Sequence, residues 1–303
     1  MPLFCFSPIV VSSSSLIARL VAAPRIGVAS DRGSFFSVRR AAPLVSLVAL
    51  LFMSGCLRAR QEERADNPVA GLVAEVEALA DLPAACRPWF GLEDAAVLDR
   101  VRRSAEHATA LGYSHARDYM FGRTEPWLGI DDGMVECIYT GRRAAIDGTR
   151  TPDGMNTEHT WPRSLGAKEE PMLSDLHHLF VTDHTANGRR SNYPFGDAEC
   201  GEGFPRDCNW EGGGSKLGLS ANSQLVFEVR PEGRGDIARG QFYFAARYGM
   251  GIAPDTEAAL RRWSAQDPPD DRERARNDVI ESIQGNRNPF IDCPDLVDHV
   301  ADF

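Results

Sequence analysis

The sequence predicts an α+β fold in which helices predominate. Apolar residues recur at helical spacing in several segments, while β-like stretches and turn-rich loops fill the middle of the chain. The 303 residues are 43% hydrophobic and 25% charged, with a net charge of −10. That composition excludes a disordered tail, a collagen-like rod and a small disulfide scaffold.

Residues 1–56 predict an N-terminal extension and an export signal rather than a part of the fold. Two arginines at 39 and 40 precede an uncharged, mostly apolar run over 41–53. That run is shorter than the roughly 18–20 apolar residues that a membrane-spanning helix needs. It ends in a sequence similar to a bacterial lipobox, which predicts lipidation of Cys56 and a membrane anchor. Cleavage near Gly55 with ordinary secretion is the alternative, so we expect an outer-membrane or periplasmic lipoprotein or a secreted protein.

The next elements are predicted from periodicity. Residues 57–88 read as a polar tether followed by a helix that starts at Pro68. A second helix is predicted over 93–111, and the stretch 135–139 is β-like. Between 157 and 218 the chain is rich in Gly, Pro, Asn, His and Asp, which is typical of a functional surface built on loops.

The last third of the chain predicts three further helices. Residues 237–248 read as a buried helix, and Thr256 is a candidate N-cap for the next one. A charged helix is predicted over Asp271–Gln284, with Gly285 as its C-cap.

Five cysteines follow Cys56, and export makes disulfides plausible. Cys200 and Cys208 lie eight apart in a Gly-rich loop and predict a local disulfide. A zinc site is disfavoured because the paired CxxC spacing is absent. Cys86 and Cys137 are predicted as a second pair, which leaves Cys293 as the unpaired thiol.

The chemistry-bearing groups concentrate in residues 156–196. This stretch holds four of the seven histidines, together with carboxylates, amides and arginines. Histidine is the natural base near neutral pH, Mg²⁺ takes oxygen ligands, and arginine matches phosphate oxygens. The segment therefore indicates metal-assisted chemistry on an anion. The chain lacks HExxH, P-loop and GxSxG motifs, which disfavours a zinc protease, a P-loop nucleotidase and an α/β-hydrolase.

Residues 90–300 resemble the bacterial endonuclease I family of periplasmic or secreted nonspecific nucleases. Five motifs carry the resemblance, in the family's order: NTEHTWP, SDLHHLFVTD, ANGRRSNYPFG, GDIARGQFYFAARY and ARNDVIESIQGNRNPFID. The resemblance implies a ββα-metal (His-Me finger) core embedded in a mainly helical single domain over 89–303. It also implies sequence-nonspecific hydrolysis of DNA, with RNA left open, to 5′-phosphate and 3′-hydroxyl ends. An exported binding or structural module on a nuclease scaffold and another metal-dependent phosphodiesterase are the alternatives.

The resemblance also assigns the central roles. His159 matches the general base that activates a water molecule. Glu158 and Asn187 match the protein ligands of one divalent ion, Mg²⁺ or else Mn²⁺ or Ca²⁺. Two protein ligands leave open positions on an octahedral ion for water and a phosphate oxygen.

Outer residues of the predicted site are assigned by their proximity in sequence. Arg190 is predicted to hold the scissile phosphate, and Arg163 and Arg189 are further candidates for that contact. Asp175 and His177 are predicted to orient the site from behind.

The charge distribution bears on the predicted nucleic-acid partner. Residues 1–56 carry five arginines and one aspartate as their only charges, so residues 57–303 carry a net charge of −14. Bulk charge of that sign argues against a free basic nucleic-acid binder. We therefore expect DNA to meet a local basic patch, and binding by a monomer to be modest, salt-sensitive and metal-dependent. The patch would comprise Arg142, Arg143, Arg163, Arg189 and Arg190.

Overall fold

Helices and three small antiparallel sheets alternate along the chain in the computed structural model, which describes residues 68–129 and 132–303. The α+β prediction is confirmed. The predicted export segment over 1–56, including Cys56, lies outside the described residues. No helix in the described part of the chain is long and apolar enough to cross a membrane.

The N-terminal helices are shorter and more numerous than periodicity predicts. Helix α1 spans Pro68–Asp81, and α2 spans Asp94–Ser104. The prediction of one helix over 93–111 is wrong in its extent, because the chain leaves α2 at Ala105. Gly112 adopts a φ of +76°, and a new helix, α3, begins there and spans Tyr113–Met120.

The sheets are two- and three-stranded. Strand β1 (Met134–Glu136) pairs with β2 (Arg143–Ala145), and β3 (Met155–His159) pairs with β4 (Leu179–Asp183). The third sheet has the order β5, β6, β7, formed by Trp210–Gly212, Ser215–Leu219 and Leu225–Glu228. In the β3–β4 pair Glu158 lies opposite Phe180, and His159 lies opposite Leu179.

Five helices complete the fold. Helix α4 (His184–Arg190) follows β4 directly, and α5 (Arg234–Tyr248) is buried along most of its length. Helices α6 (Pro254–Gln266), α7 (Asp271–Gln284) and α8 (Pro289–Asp292) follow. The predicted bounds of α7 and its Gly285 cap are confirmed. Thr256 is not the N-cap of α6, because Pro254 fixes the first turn and Ala253 precedes it as the cap.

Two disulfides close the described part of the chain. Cys200–Cys208 is confirmed, and the other bond joins Cys86 to Cys293 with their Cα atoms 5.2 Å apart. The predicted Cys86–Cys137 pair is therefore wrong, as is the free Cys293. Cys137 is the buried free thiol: it directly follows β1, and its Sγ accepts a hydrogen bond from the Asp183 backbone N–H at 3.1 Å.

Candidate functional site

The β3–β4 hairpin and α4 together form a ββα finger that carries the predicted ligands. Asp183 ends β4 and caps α4, because its Oδ1 accepts a hydrogen bond from the Ala186 N–H at 2.8 Å. One helical turn on, the Asn187 side chain turns back to β3, where its Nδ2 donates to the Thr157 carbonyl at 3.0 Å. Because β3 ends in Glu158 and His159, the finger brings the three residues predicted for catalysis and metal binding to one groove.

His159 is held in one tautomer. Its Nε2 lies 3.1 Å from the Leu173 carbonyl oxygen. A carbonyl only accepts hydrogen bonds, so Nε2 carries the proton and Nδ1 keeps its lone pair. Burial, together with the nearby His178, lowers the pKa of His159 to about 3. The ring is therefore neutral near pH 7, which is the state that can accept a proton.

Glu158 is a buried carboxylate, and few neighbouring groups offset the cost of burying its charge. The residue is 1% exposed, and burial raises its pKa to about 7 against the opposing effect of Arg190. Its Oε1 lies 3.2 Å from Arg190 Nη1, yet that oxygen has no hydrogen-bond donor among the described residues. A buried oxygen left in this state is a site for a further positive group.

The donor set of this groove fits a hard divalent cation. Asn187 is oriented by its Nδ2 bond to Thr157, which leaves Oδ1 as its acceptor, and it lines the same groove as Glu158, whose Oε1 has no hydrogen-bond donor among the described residues. Carboxylate and amide oxygens are the ligands that Mg²⁺ and Ca²⁺ prefer. Within 68–129 and 132–303, no group of three or more His, Cys, Asp or Glu side chains could hold a metal ion. Water and substrate oxygens would therefore complete the coordination.

The three predicted phosphate-binding arginines occupy different environments. Arg190 is 2% exposed and donates to the Thr160 carbonyl at 2.6 Å and to the Ser191 carbonyl at 3.2 Å. Its guanidinium also stacks 4.4 Å from the centre of the Phe195 ring. Arg163 is exposed, lines the groove and lies over the Tyr113 ring at 6.0 Å. Arg189 is exposed but does not line the groove.

Other members of the predicted basic patch are also engaged within the protein. Arg142 donates to Asp153 Oδ2 at 2.8 Å, which offsets its charge. Because Arg190 is buried as well, the patch offers fewer free cations than the sequence suggests.

Asp175 and His177 lie behind the finger in a hydrogen-bonded network. Asp175 caps the short turn before β4 and pairs with Arg247 at 2.7 Å. His177 Nε2 lies 3.0 Å from the Asn286 carbonyl oxygen. The histidine that packs against His159 is instead His178, with ring centres 5.5 Å apart.

The groove also contains residues that the motifs do not indicate. It has a volume of about 510 Å³, and Tyr113 at the start of α3 forms one wall, 5.2 Å from the His159 ring. Asn192 forms another, after Ser191 turns the chain with a φ of +51°. Such a φ in a non-glycine residue is strained and often accompanies a functional site. The only sequence signal for Tyr113 is the preceding glycine, which marks the start of a helix.

Comparison with known proteins gives the same family. Residues 109–295 match the family described as Endonuclease I. The chain is 36% identical to an extracellular ribonuclease of Bacillus subtilis (strain 168), covering 55% of this chain and 61% of the relative. It is 35% identical to an extracellular ribonuclease of Bacillus amyloliquefaciens, covering 69% and 75%. It is also 32% identical to a periplasmic deoxyribonuclease of Aeromonas hydrophila, covering 42% and 50%.

Proposed function

The chain belongs to the endonuclease I family, and from that premise we propose that it is an exported, metal-dependent nuclease without sequence specificity. Its substrates are DNA and RNA, since relatives named as ribonucleases and as deoxyribonucleases both match it. Two disulfides accord with export. Anchoring through a lipidated Cys56 belongs to the same proposal. One observation carries the assignment: a neutral, tautomer-fixed His159 and Glu158, whose buried Oε1 has no hydrogen-bond donor among the described residues, line one groove.

His159 accepts a proton from the attacking water at Nδ1. The Leu173 carbonyl holds the ring through Nε2–H and stabilises the cation that forms after proton transfer. A ring buried to this extent resists protonation by solvent, so the base is free at neutral pH. Attack on phosphorus then breaks the bond to the 3′ oxygen and leaves 5′-phosphate and 3′-hydroxyl ends.

Glu158 and Asn187 would hold the divalent ion. When bound, the ion supplies positive charge to the phosphate oxygens and to the leaving oxygen. Arg190 positions these groups: it pairs with Glu158 and donates to the carbonyls at the end of β3. Because Arg190 is buried and its two Nη atoms already donate to backbone carbonyls and pair with Glu158, we assign the direct phosphate contact to Arg163, which lines the same groove and is exposed.

The test is cleavage of plasmid DNA and of structured RNA by the purified protein. We expect cleavage with Mg²⁺ or Mn²⁺ and loss of it in chelator. His159→Ala should lower the cleavage rate by about 10²- to 10⁴-fold, the usual contribution of a general base. His299→Ala is the matched control, because that histidine is exposed and pairs with Glu93 away from the groove.

The result that would contradict the proposal is equally specific. Folded wild-type protein that leaves both polymers intact with every divalent ion would rule out a nuclease. Preferential cleavage of a small phosphodiester would indicate the alternative phosphodiesterase.

A further inference from the structure

A second pocket adjoins the catalytic groove. It has a volume of about 320 Å³, within the range of pockets that hold small ligands, and its walls are mostly apolar. Pro162, Arg190 and Asn192 line both this pocket and the groove that contains His159. A ligand bound in the groove would therefore have direct access to this neighbour, which we call the side pocket.

The side pocket presents aromatic and apolar walls. Trp161, Tyr193 and Phe195 line it. Trp161 is fixed by stacking on Phe244 with ring centres 5.0 Å apart and planes 16° apart, and its Nε1 donates to the Leu165 carbonyl. Leu165 is 52% exposed although it is a large apolar residue. Phe195 and Trp161 are mostly buried, so the half-buried Tyr193 and the exposed Leu165 form the accessible surface on which a flat, apolar group can pack.

One polar side chain in the side pocket has no partner. Gln241 projects from the buried helix α5 and is 5% exposed, and its Nε2 has no hydrogen-bond partner among the described residues. Burying a donor without a partner costs stability, so a ligand acceptor that bonds to this amide would be favourable. An amide that lines an apolar pocket is a donor for a planar ligand with acceptor atoms on its edge.

We propose that the side pocket binds a nucleobase next to the phosphodiester bond that is cut. A base has apolar faces that pack on aromatic walls and acceptor atoms at its edge for the Gln241 amide. In a duplex the bases are stacked and paired, so the pocket takes its base from a single strand or a locally opened one. This inference rests on the proposed nuclease function and adds a substrate preference to it. Stacking is tolerant of base identity, which agrees with cleavage without sequence specificity.

The experiment compares two single strands of equal length, one with normal bases and one with abasic residues throughout, in deoxyribose and ribose forms. Ala253→Trp places an indole at an exposed position that lines the side pocket. Ala258→Trp, an exposed position on α6 outside the side pocket, is the matched control. We expect wild type to show a KM about tenfold lower on the strand with bases. Ala253→Trp should remove that difference, and Ala258→Trp should keep it.

Gln241→Leu separates a ligand-binding role from a structural one. The substitution removes an unpartnered donor, so the melting temperature should stay equal or rise. Affinity for the strand with bases should fall three- to tenfold, while affinity for the abasic strand should not change. A lower melting temperature with unchanged affinity would show that Gln241 serves the fold alone.

Binding by fluorescence anisotropy in chelator keeps the inference distinguishable from the proposed function. If wild type cleaves no nucleic acid, the proposed function fails. Anisotropy still measures the affinity for the two strands, and therefore still tests whether the side pocket binds a base. Equal affinity of wild type for the two strands would overturn the side-pocket proposal even if cleavage is efficient. The same holds if Ala253→Trp and Ala258→Trp bind the strand with bases equally well.

Discussion

Two buried carboxylates, Glu158 in β3 and Asp175 in the turn before β4, have opposite environments. Asp175 accepts four hydrogen bonds, from Arg247, Tyr248, Gln284 and its own turn, and its pKa lies below the usual range. Glu158 has a single ion pair and a pKa raised to about 7. Both residues are at most 2% exposed, so burial alone does not distinguish them. The difference lies in the number of donors that the fold supplies.

The contrast extends to the neighbours of each carboxylate. Beside Glu158, the buried atoms Thr157 Oγ1, Thr160 Oγ1 and Arg190 Nε have no partner among the described residues. Buried polar atoms without hydrogen-bond partners lower the stability of the fold but can bind a ligand. A network in which every polar atom is hydrogen-bonded makes its region rigid. Glu158 therefore lies among polar atoms that lack hydrogen-bond partners, whereas Asp175 lies in a satisfied network.

The largest expected effect is on activity at Glu158. Glu158→Gln should lower nuclease activity by about a thousandfold, because it removes the only carboxylate available to the ion in this groove. In chelator the same variant should lose less stability than Asp175→Asn: Arg190 loses its counter-charge, but burial raises the pKa of Glu158 to about 7, so the carboxylate is already partly protonated at neutral pH. Activity and thermal melting measure the two effects, with the exposed Glu93→Gln as control. A strong loss of stability would place Glu158 with Asp175 as a structural group.

Asp175→Asn should lower stability strongly and nuclease activity little, the reverse of Glu158→Gln. It leaves the Arg247 guanidinium, 7% exposed, without its counter-charge, so the free energy of unfolding should fall by about 3–5 kcal/mol. Activity per folded molecule should stay within a few-fold of wild type, because none of the four residues that donate hydrogen bonds to Asp175 lines the groove. Urea unfolding measures the effect. Asp99→Asn breaks an exposed pair with Arg102 and should cost less than about 1 kcal/mol.

The sequence predicts this contrast only where the interacting residues are close together along the chain. Glu158 and His159 are adjacent, and Asn187 follows on one finger, so a local motif suffices to identify them. The partners of Asp175 lie 72, 73 and 109 residues away, and a motif does not show which side chains will surround it.

Residues outside the motifs illustrate the same limit. Cys86 pairs with Cys293 across 207 residues, and Tyr113 reaches the groove from a short helix that periodicity does not predict. Gln241 reads as one polar residue in a buried helix, and only the packing of α5 against the loop after β3 shows the pocket it lines.

The pH dependence of stability sharpens the comparison further. Burial opposes ionisation of Asp175, but the Arg247 guanidinium and the hydrogen bonds hold its pKa below the unfolded value of about 3.9. The unfolded chain therefore binds the proton first as pH falls, and stability rises with pH in this range. The advantage of wild type over Asp175→Asn should be complete above about pH 5 and shrink steadily below pH 4.

Urea unfolding between pH 3 and 6 measures that difference. His177 and His178 titrate nearby, because burial lowers the pKa of each to about 4. The Asp175 charge raises the pKa of both histidines, so Asp175→Asn lowers those pKa values further, and the difference between the two proteins reports on the carboxylate together with these two histidines. A constant difference across this range would show that Asp175 is not ionised in the fold.

The smallest expected effect is the loss of kcat/KM when an arginine in or near the groove is replaced. Arg247 is committed to Asp175, whereas Arg163 lies in the groove with the Tyr113 ring and has no ion pair within the described residues. Arg163→Gln should therefore lower kcat/KM by about tenfold, the loss of one charge-assisted phosphate contact. Arg189→Gln, exposed but outside the groove, should lower it less than threefold. Steady-state cleavage at two salt concentrations measures both, and only the Arg163 effect should persist at high salt, because general attraction between charges is screened. If the two substitutions lower kcat/KM equally and neither has an effect at high salt, the arginines contribute only general electrostatic attraction. The ion and its ligands would then be the groups that hold the phosphate.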